Sequence, residues 1–332
     1  MIAQEAFFVI AIKAILVVFI VVTAFAYITL LERKLIGRFQ LRPGPNRTGP
    51  FGLLQPAADV VKLVFKEGFA PEGANKFLFS FAPLVSLFAA VGGLALIPFG
   101  KTTTWFGRTV NFFGTDLSIT LLVLFALSSL GFYGLVLGGW ASGNKYSLLG
   151  AARTAAQLVS YEVAMGLTVI GVVMMSQTLS LRGIVQAQAD NVWYIVLQPM
   201  SFVIFCLCAI AETNRAPFDL PEAESELVAG YQTEYAGLKF AMFTMAEYLN
   251  IIVVSGLGVT LFLGGYSGPF LPGWIWLALK IFVMIFGFIW LRATLPRLRY
   301  DRLMKLGWKV LLPLSTINLL VTAIVVGLGF AN

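Results

Sequence analysis

The sequence predicts an all-α polytopic membrane protein: eight transmembrane helices, with an amphipathic interfacial helix in the first cytoplasmic loop. Three observations carry that expectation. The 332-residue chain is 59% hydrophobic, with a mean hydropathy of +0.87, far above soluble proteins. Its apolar runs reach the length of about 20 residues that a helix needs to cross a bilayer. Its charged residues collect between those runs.

The runs fall at about 6–31, 77–98, 117–139, 155–177, 193–211, 238–264, 274–295 and 308–330. We read them as a single membrane domain over 1–332. The first run does not have the pattern of a cleavable signal: Glu5 lies in its charged region, no base precedes Lys13, and the run is too long.

Orientation follows from the bases. The loops after the first, third, fifth and seventh runs hold 18 of the 23 Lys and Arg residues. The loops after the other runs hold Lys101, Arg108 and Arg182. The basic loops are therefore expected in the cytoplasm and both termini outside. Lys13 and Lys280 lie within runs, each within two turns of the opposite end, where the long side chain can snorkel.

The first cytoplasmic loop turns at Pro43-Gly44-Pro45 and Gly49-Pro50. Beyond the turns, Gln55, Asp59, Lys62 and Lys66 recur every three or four residues, which places them on one helical stripe. Leu53, Leu54, Val60, Val61, Val64 and Phe65 cover the rest. The pattern predicts an amphipathic helix at about 53–67 that lies in the interface rather than spanning it. Two uses stay open: a packing helix without a ligand, or an apolar face along which a lipid-soluble molecule enters.

The most unusual stretch is the loop at 212–237. The chain has 16 acids, and six of them lie here: Glu212, Asp219, Glu222, Glu224, Glu226 and Glu234, with Arg215 as the one base among them. Carboxylates crowded against a bilayer repel one another and lose solvation. A loop that holds, passes or senses protons uses such a cluster; a solvated acidic surface is the alternative. Two further acids, Glu162 in SYEVAMG and Glu247 in MAEYLN, fall inside apolar runs. Glu162 follows Tyr161, and Glu247 precedes Tyr248. Acids at membrane depth are functional by default, so both are expected in a proton path.

The last cytoplasmic loop is basic, with Arg292, Arg297, Arg299, Arg302, Lys305 and Lys309 against Asp301. It fits an anchor on the cytoplasmic face, and its arginines also fit a contact with the acidic loop or a peripheral partner.

Composition excludes much else. There is no histidine, which removes the usual acid–base catalyst and most zinc or haem ligation. The two cysteines, Cys206 and Cys208, stand two apart on a predicted helix and point about 200° apart, so they neither bridge nor share a metal. No P-loop, dinucleotide fingerprint, CxxC or nucleophile elbow is present, so no catalytic or metal-binding residue is assigned. The +7 charge sits in loops between helices and is not a nucleic-acid signal.

ERKLIGRFQLRPGPNRTGPFGLLQPAADVVKLVFKE and AETNRAPFDLPEAESELVAGYQTEYAG, with SYEVAMG and PRLRYDRLM, closely resemble the H subunit of bacterial NADH:quinone oxidoreductase, respiratory complex I, whose mitochondrial counterpart is NADH dehydrogenase subunit 1. The likeness covers essentially the whole chain. It implies a non-redox subunit of a proton-translocating enzyme, active only within its complex, in the bacterial inner membrane. The substrate is a quinone, ubiquinone or menaquinone, while FMN, NADH and the iron–sulfur clusters belong to partner subunits. The implied partners are the quinone-site and iron–sulfur subunits of the peripheral arm, the small and antiporter-like membrane subunits, and lipid. By motif, Arg38, Arg42, Asp59, Phe65 and Arg299 lie on or near the quinone chamber. Glu162, Glu212 and Glu247, with Arg215, Asp219, Glu222, Glu224, Glu226 and Glu234 of the loop, form the coupling path. Two other readings stay open: the anchor of an energy-converting hydrogenase, and an independent transporter, which would more often show repeats and broken helices.

Overall fold

A computed structural model describes residues 7–100, 103–105, 108–110, 117–221 and 224–329. Glu5 and Lys101 lie outside the described residues, as do the side chains of Lys13 and Arg108. The chain divides into two compact units, Met1–Lys66 and Glu67–Asn332.

The first unit pairs a long and a short helix. Helix α1 covers Phe7–Phe39. The chain then turns, with Leu41 and Phe51 in the left-handed region, and reforms as α2, Gln55–Phe65. Pro56 sits in the first turn of α2, where its missing N–H costs nothing. Asp59 of α2 meets Arg33 of α1 at 2.5 Å. Gln55 joins the same network: it accepts from Thr48 at 2.8 Å and donates to Asp59 at 3.0 Å. The polar stripe of α2 is therefore engaged, while Val60, Val61, Val64 and Phe65 are exposed. An apolar face turned outward is the arrangement a lipid-facing helix needs.

The second unit is a helical bundle. Its helices are α3 (Lys76–Ala95), α4 (Thr120–Ala141), α5 (Lys145–Ser176), α6 (Leu181–Asp190), α7 (Tyr194–Leu197), α8 (Pro199–Glu212), α9 (Glu224–Leu227), α10 (Gly237–Phe262), α11 (Gly273–Thr294), α12 (Tyr300–Leu306) and α13 (Leu312–Gly327). A short antiparallel hairpin, Thr103–Trp105 with Arg108–Val110, follows α3. Apolar periodicity gave no sign of that hairpin.

Six helical stretches are long and apolar enough to cross a membrane: α3, α4, α5, α10, α11 and Tyr300–Gly327. This is a multi-pass membrane protein. Three of its helices differ from the runs. Helix α5 begins at Lys145 rather than near 155, because Asn144 caps it by accepting from the Tyr146 N–H at 2.9 Å. The run at 193–211 is broken at Gln198, whose backbone leaves the helical region ahead of Pro199. The last helix starts before the apolar run and passes through a π-helical segment, Gly307–Leu311.

Close packing positions the interior of this unit. A Cβ added at Gly134 of α4 would lie 2.8 Å from the Ser86 backbone nitrogen of α3. One added at Gly139 would lie 2.5 Å from Ala151 Cβ of α5. Only glycine lets α4 approach both neighbours so closely. Helix α10 is buried along most of its length, against α3, α8 and α11. Its far end is fastened by Lys280, which is 6% exposed rather than reaching solvent. The Lys280 ammonium donates to the carbonyls of Leu263, Gly265 and Ser267 at 2.6, 3.0 and 2.7 Å and lies 4.5 Å from the Trp193 ring centre.

Candidate functional site

Helices α4, α5, α8 and α10 bring three carboxylates to one cavity. Glu162 of α5, Glu212 at the end of α8 and Glu247 of α10 line it together, with Ser86, Ser128, Asn214, Tyr231 and Asn250. The cavity offers about 40 Å³ to water, where roughly 10–15 Å³ suffices for one molecule. Its wall is both polar and apolar, so it accepts a short run of hydrogen-bonded water.

Each acid has a distinct partner. Ser129 Oγ donates to Glu162 Oε1 at 2.6 Å. Ser128 Oγ donates to Glu212 Oε1. Glu247 Oε1 is 2.8 Å from Arg215 Nε, both side chains being nearly buried. The Arg215 guanidinium also lies 4.3 Å over the Tyr248 ring. Tyr161 turns away from the cavity; its hydroxyl donates to the Leu303 carbonyl at 2.9 Å. The two tyrosines beside the membrane acids therefore do different things.

The acidic loop is partly an interior segment. Phe218 and Leu220 are buried, as are Thr213, Asn214 and Arg215. Gln157 of α5 is fully buried and clamps the loop, donating to the carbonyls of Ala211 at 2.8 Å and Phe218 at 2.9 Å. The Leu298 N–H reaches the Pro217 carbonyl at 3.0 Å. These bonds satisfy backbone that would otherwise be buried unpaired.

The loop acids do not gather at one point. Glu226 is exposed and pairs with Arg153 of α5 at 2.6 Å. That hydrogen bond holds its carboxyl below the usual carboxylate range, with more distant help from Arg297 and Arg299 against a small desolvation cost. Glu234 accepts from Asn144 at 2.7 Å. Asp219 is half-buried. Glu222 lies outside the described residues, and so does the side chain of Glu224. Beside the loop, Tyr235 is buried and donates to the Phe79 carbonyl at 3.1 Å. Burial pushes its phenol up.

Among the candidate chamber residues, Asp59 is held by Arg33 as described, Arg42 donates to Gln40 at 2.8 Å, and Arg38 and Phe65 are exposed. In the second unit, Arg299 is exposed and pairs with Asp301 at 3.1 Å. Among the described residues, no group of three His, Cys, Asp or Glu side chains is arranged to hold a metal ion.

Sequence reasoning missed Ser128, Ser129 and Asn250. Asn250 had a signal: it stands three residues after Glu247, hence on the same helical face. The serines had a weaker one, an adjacent pair in an otherwise apolar helix.

Comparison with known proteins matches residues 12–323 to a family described as NADH dehydrogenase. A relative from Geobacter metallireducens, the second of two NADH-quinone oxidoreductase H subunits of that organism, is 52% identical, with 97% of each chain covered. The chain belongs to the H-subunit family of NADH-quinone oxidoreductase. The H subunit of Thermomicrobium roseum is 53% identical over 90% of this chain and 91% of its own. That of Protochlamydia amoebophila is 52% identical over 91% and 92%. Membership of this family makes the protein a membrane subunit of a larger oxidoreductase complex.

Proposed function

We propose that this subunit forms much of a quinone-binding chamber, anchors the peripheral redox arm, and couples quinone reduction to proton translocation. The single observation that carries the coupling role is the convergence of Glu162, Glu212 and Glu247, from three helices, on one water-sized cavity beside Arg215. Reducing a quinone consumes two protons and passes through an anion. Carboxylates joined by water, with an arginine able to change partners, suit a response to that charge. The acids of the loop extend this group. We assign Arg38, Arg42, Asp59 and Phe65 of the first unit, and Arg299 of the second, to the chamber. The exposed apolar face of α2 supports entry of a lipid-soluble substrate from the bilayer.

In the same reading, α1 and the broken pair α7–α8 complete eight spans, α2 lies in the interface, and the basic loops face the cytoplasm of a bacterial inner membrane. The quinone, the flavin and the iron–sulfur clusters meet on partner subunits, which the electron-transfer role requires.

The test is replacement of Glu162 or Glu247 by Gln in the intact complex, reconstituted in vesicles. Gln keeps shape and one hydrogen-bond acceptor but cannot carry the proton. Assembly should survive, while quinone-linked proton translocation falls. Two single variants with normal turnover and pumping would remove these acids from the path.

A further inference from the structure

Two consecutive hydroxyls on α4 reach two different acids. Ser128 donates to Glu212 of α8, and Ser129 donates to Glu162 of α5. Successive residues of a helix point about 100° apart, so one helix touches both carboxylates only from between the helices that carry them. The glycine-mediated approach of α4 to α3 and α5 provides that position. Ser128 also lines the cavity, with Glu162 and Glu212. The second oxygen of Glu212 is buried and has no hydrogen-bond partner among the described residues. A smaller cavity of about 20 Å³ lies against Ser128, Glu212 and Asn250 on their other side, and its remaining wall is apolar, from Ala89 and Leu124 to Val254 and Leu257. The polar groups at the junction are therefore few, and the serine is one of them.

We propose that Ser128 and Ser129 are positioning and relay residues that join Glu212 to Glu162 through the cavity. This rests on the coupling role assigned to those acids above. A serine hydroxyl both donates and accepts. While Ser128 donates to Glu212, its oxygen can accept from a cavity hydronium. The Oγ–H bond then breaks toward Glu212 Oε1 as a new Oγ–H bond forms, the hydronium becomes water, and the hydroxyl stays neutral. The reverse sequence at Ser129 returns a proton from Glu162 to the cavity. Neither serine gains or loses charge, so the relay adds no buried ion to the site.

The experiment uses the intact complex in vesicles. Four variants are compared: Ser128→Ala, Ser129→Ala, Ser128→Thr and Ser129→Thr. NADH oxidation by a soluble acceptor reports assembly and the peripheral arm. Quinone reductase rate and protons moved per NADH report coupling. Loss of a hydrogen bond to a charged group corresponds to about tenfold in rate. Each alanine variant should lose about that much quinone-linked proton transfer with normal soluble-acceptor activity, and threonine, which keeps the hydroxyl, should recover it. Alanine variants that pump as the parent does, or threonine variants no better than alanine, overturn the relay. The Glu162→Gln variant run alongside separates the two ideas: if it is impaired while the serine variants are normal, the relay alone fails; if it is normal too, the coupling role falls with it.

Discussion

Arg215 lies 2.8 Å from Glu247, so the loop leaving α8 is tied by charge to the middle of α10. The sequence suggested Arg215 as a counter-charge within the loop. Its contact with Glu247 extends that role to a membrane helix. The loop and the helix acid therefore respond together to any charge that draws the guanidinium away.

The first prediction concerns this pair. Both side chains are nearly buried, and removing one partner of such a pair costs about 3–5 kcal/mol. Arg215→Met should destabilise the complex more than Glu226→Gln does. Adding Glu247→Gln to Arg215→Met should recover part of the loss, because no unpaired carboxylate then remains. A double-mutant cycle on thermal inactivation measures this, and simple additivity of the two changes would contradict it.

The second concerns α2. Its apolar face is exposed at Val60 and Val64. Arginine at either position should cost about 3 kcal/mol if the face is in lipid. Quinone reductase activity should fall while oxidation of NADH by a soluble acceptor persists. Equal loss of both activities would point to failed assembly instead.

The third is a dependence on pH at Glu226. Its pKa is lowered in the folded chain by Arg153. The pair's contribution is therefore present above the ordinary carboxylate value of 4.5 and is lost as pH falls through the lower folded value. Exposure keeps it small. Backbone hydrogen exchange at 224–229, corrected for the intrinsic rate, should be slower in the parent than in Glu226→Gln near neutral pH. The difference should vanish in acid. A difference that grows in acid would reverse the sign and refute the assignment.

The fourth tests the approach of α4 to α3. Gly134→Ala forces a methyl onto Ser86 Oγ and to within 2.8 Å of the Ser86 backbone nitrogen. Overpacking of this kind costs about 1–3 kcal/mol or more. Gly166→Ala, where nothing lies within 4 Å, serves as the control and should be neutral. The yield of assembled complex should separate the two.

What the sequence made legible follows from rarity. A carboxylate in an apolar run stands out, and Glu162, Glu212 and Glu247 were identifiable before any geometry. Serine in a helix does not stand out, because it commonly bonds to a backbone carbonyl in the preceding turn, as Ser142 does to Gly138. Ser128 and Ser129 could only be recognised once α8 and α5 were seen on either side. Adjacency in the loop misled in the other direction: Glu226 and Glu234 leave it for Arg153 and Asn144 on and beside α5. Hydropathy finds where lipid begins, not where a helix does, which is why α5 starts about ten residues before its apolar run. Lys280 read as a snorkelling base because its distance to the membrane edge is visible in sequence, whereas the three carbonyls that hold it are not.

That lysine has a mechanical consequence. Helix α10 is a stiff rod of 26 residues, about 39 Å long. Lys280 clamps its far end through three bonds, while a single guanidinium grips it at Glu247. A rod held firmly at one end and lightly near its middle tilts when the lighter grip is released; it does not slide. Release of Arg215 would thus swing the near end of α10 about a fulcrum at Leu263–Ser267, and the displacement would be largest at Gly237, where the rod meets the acidic loop.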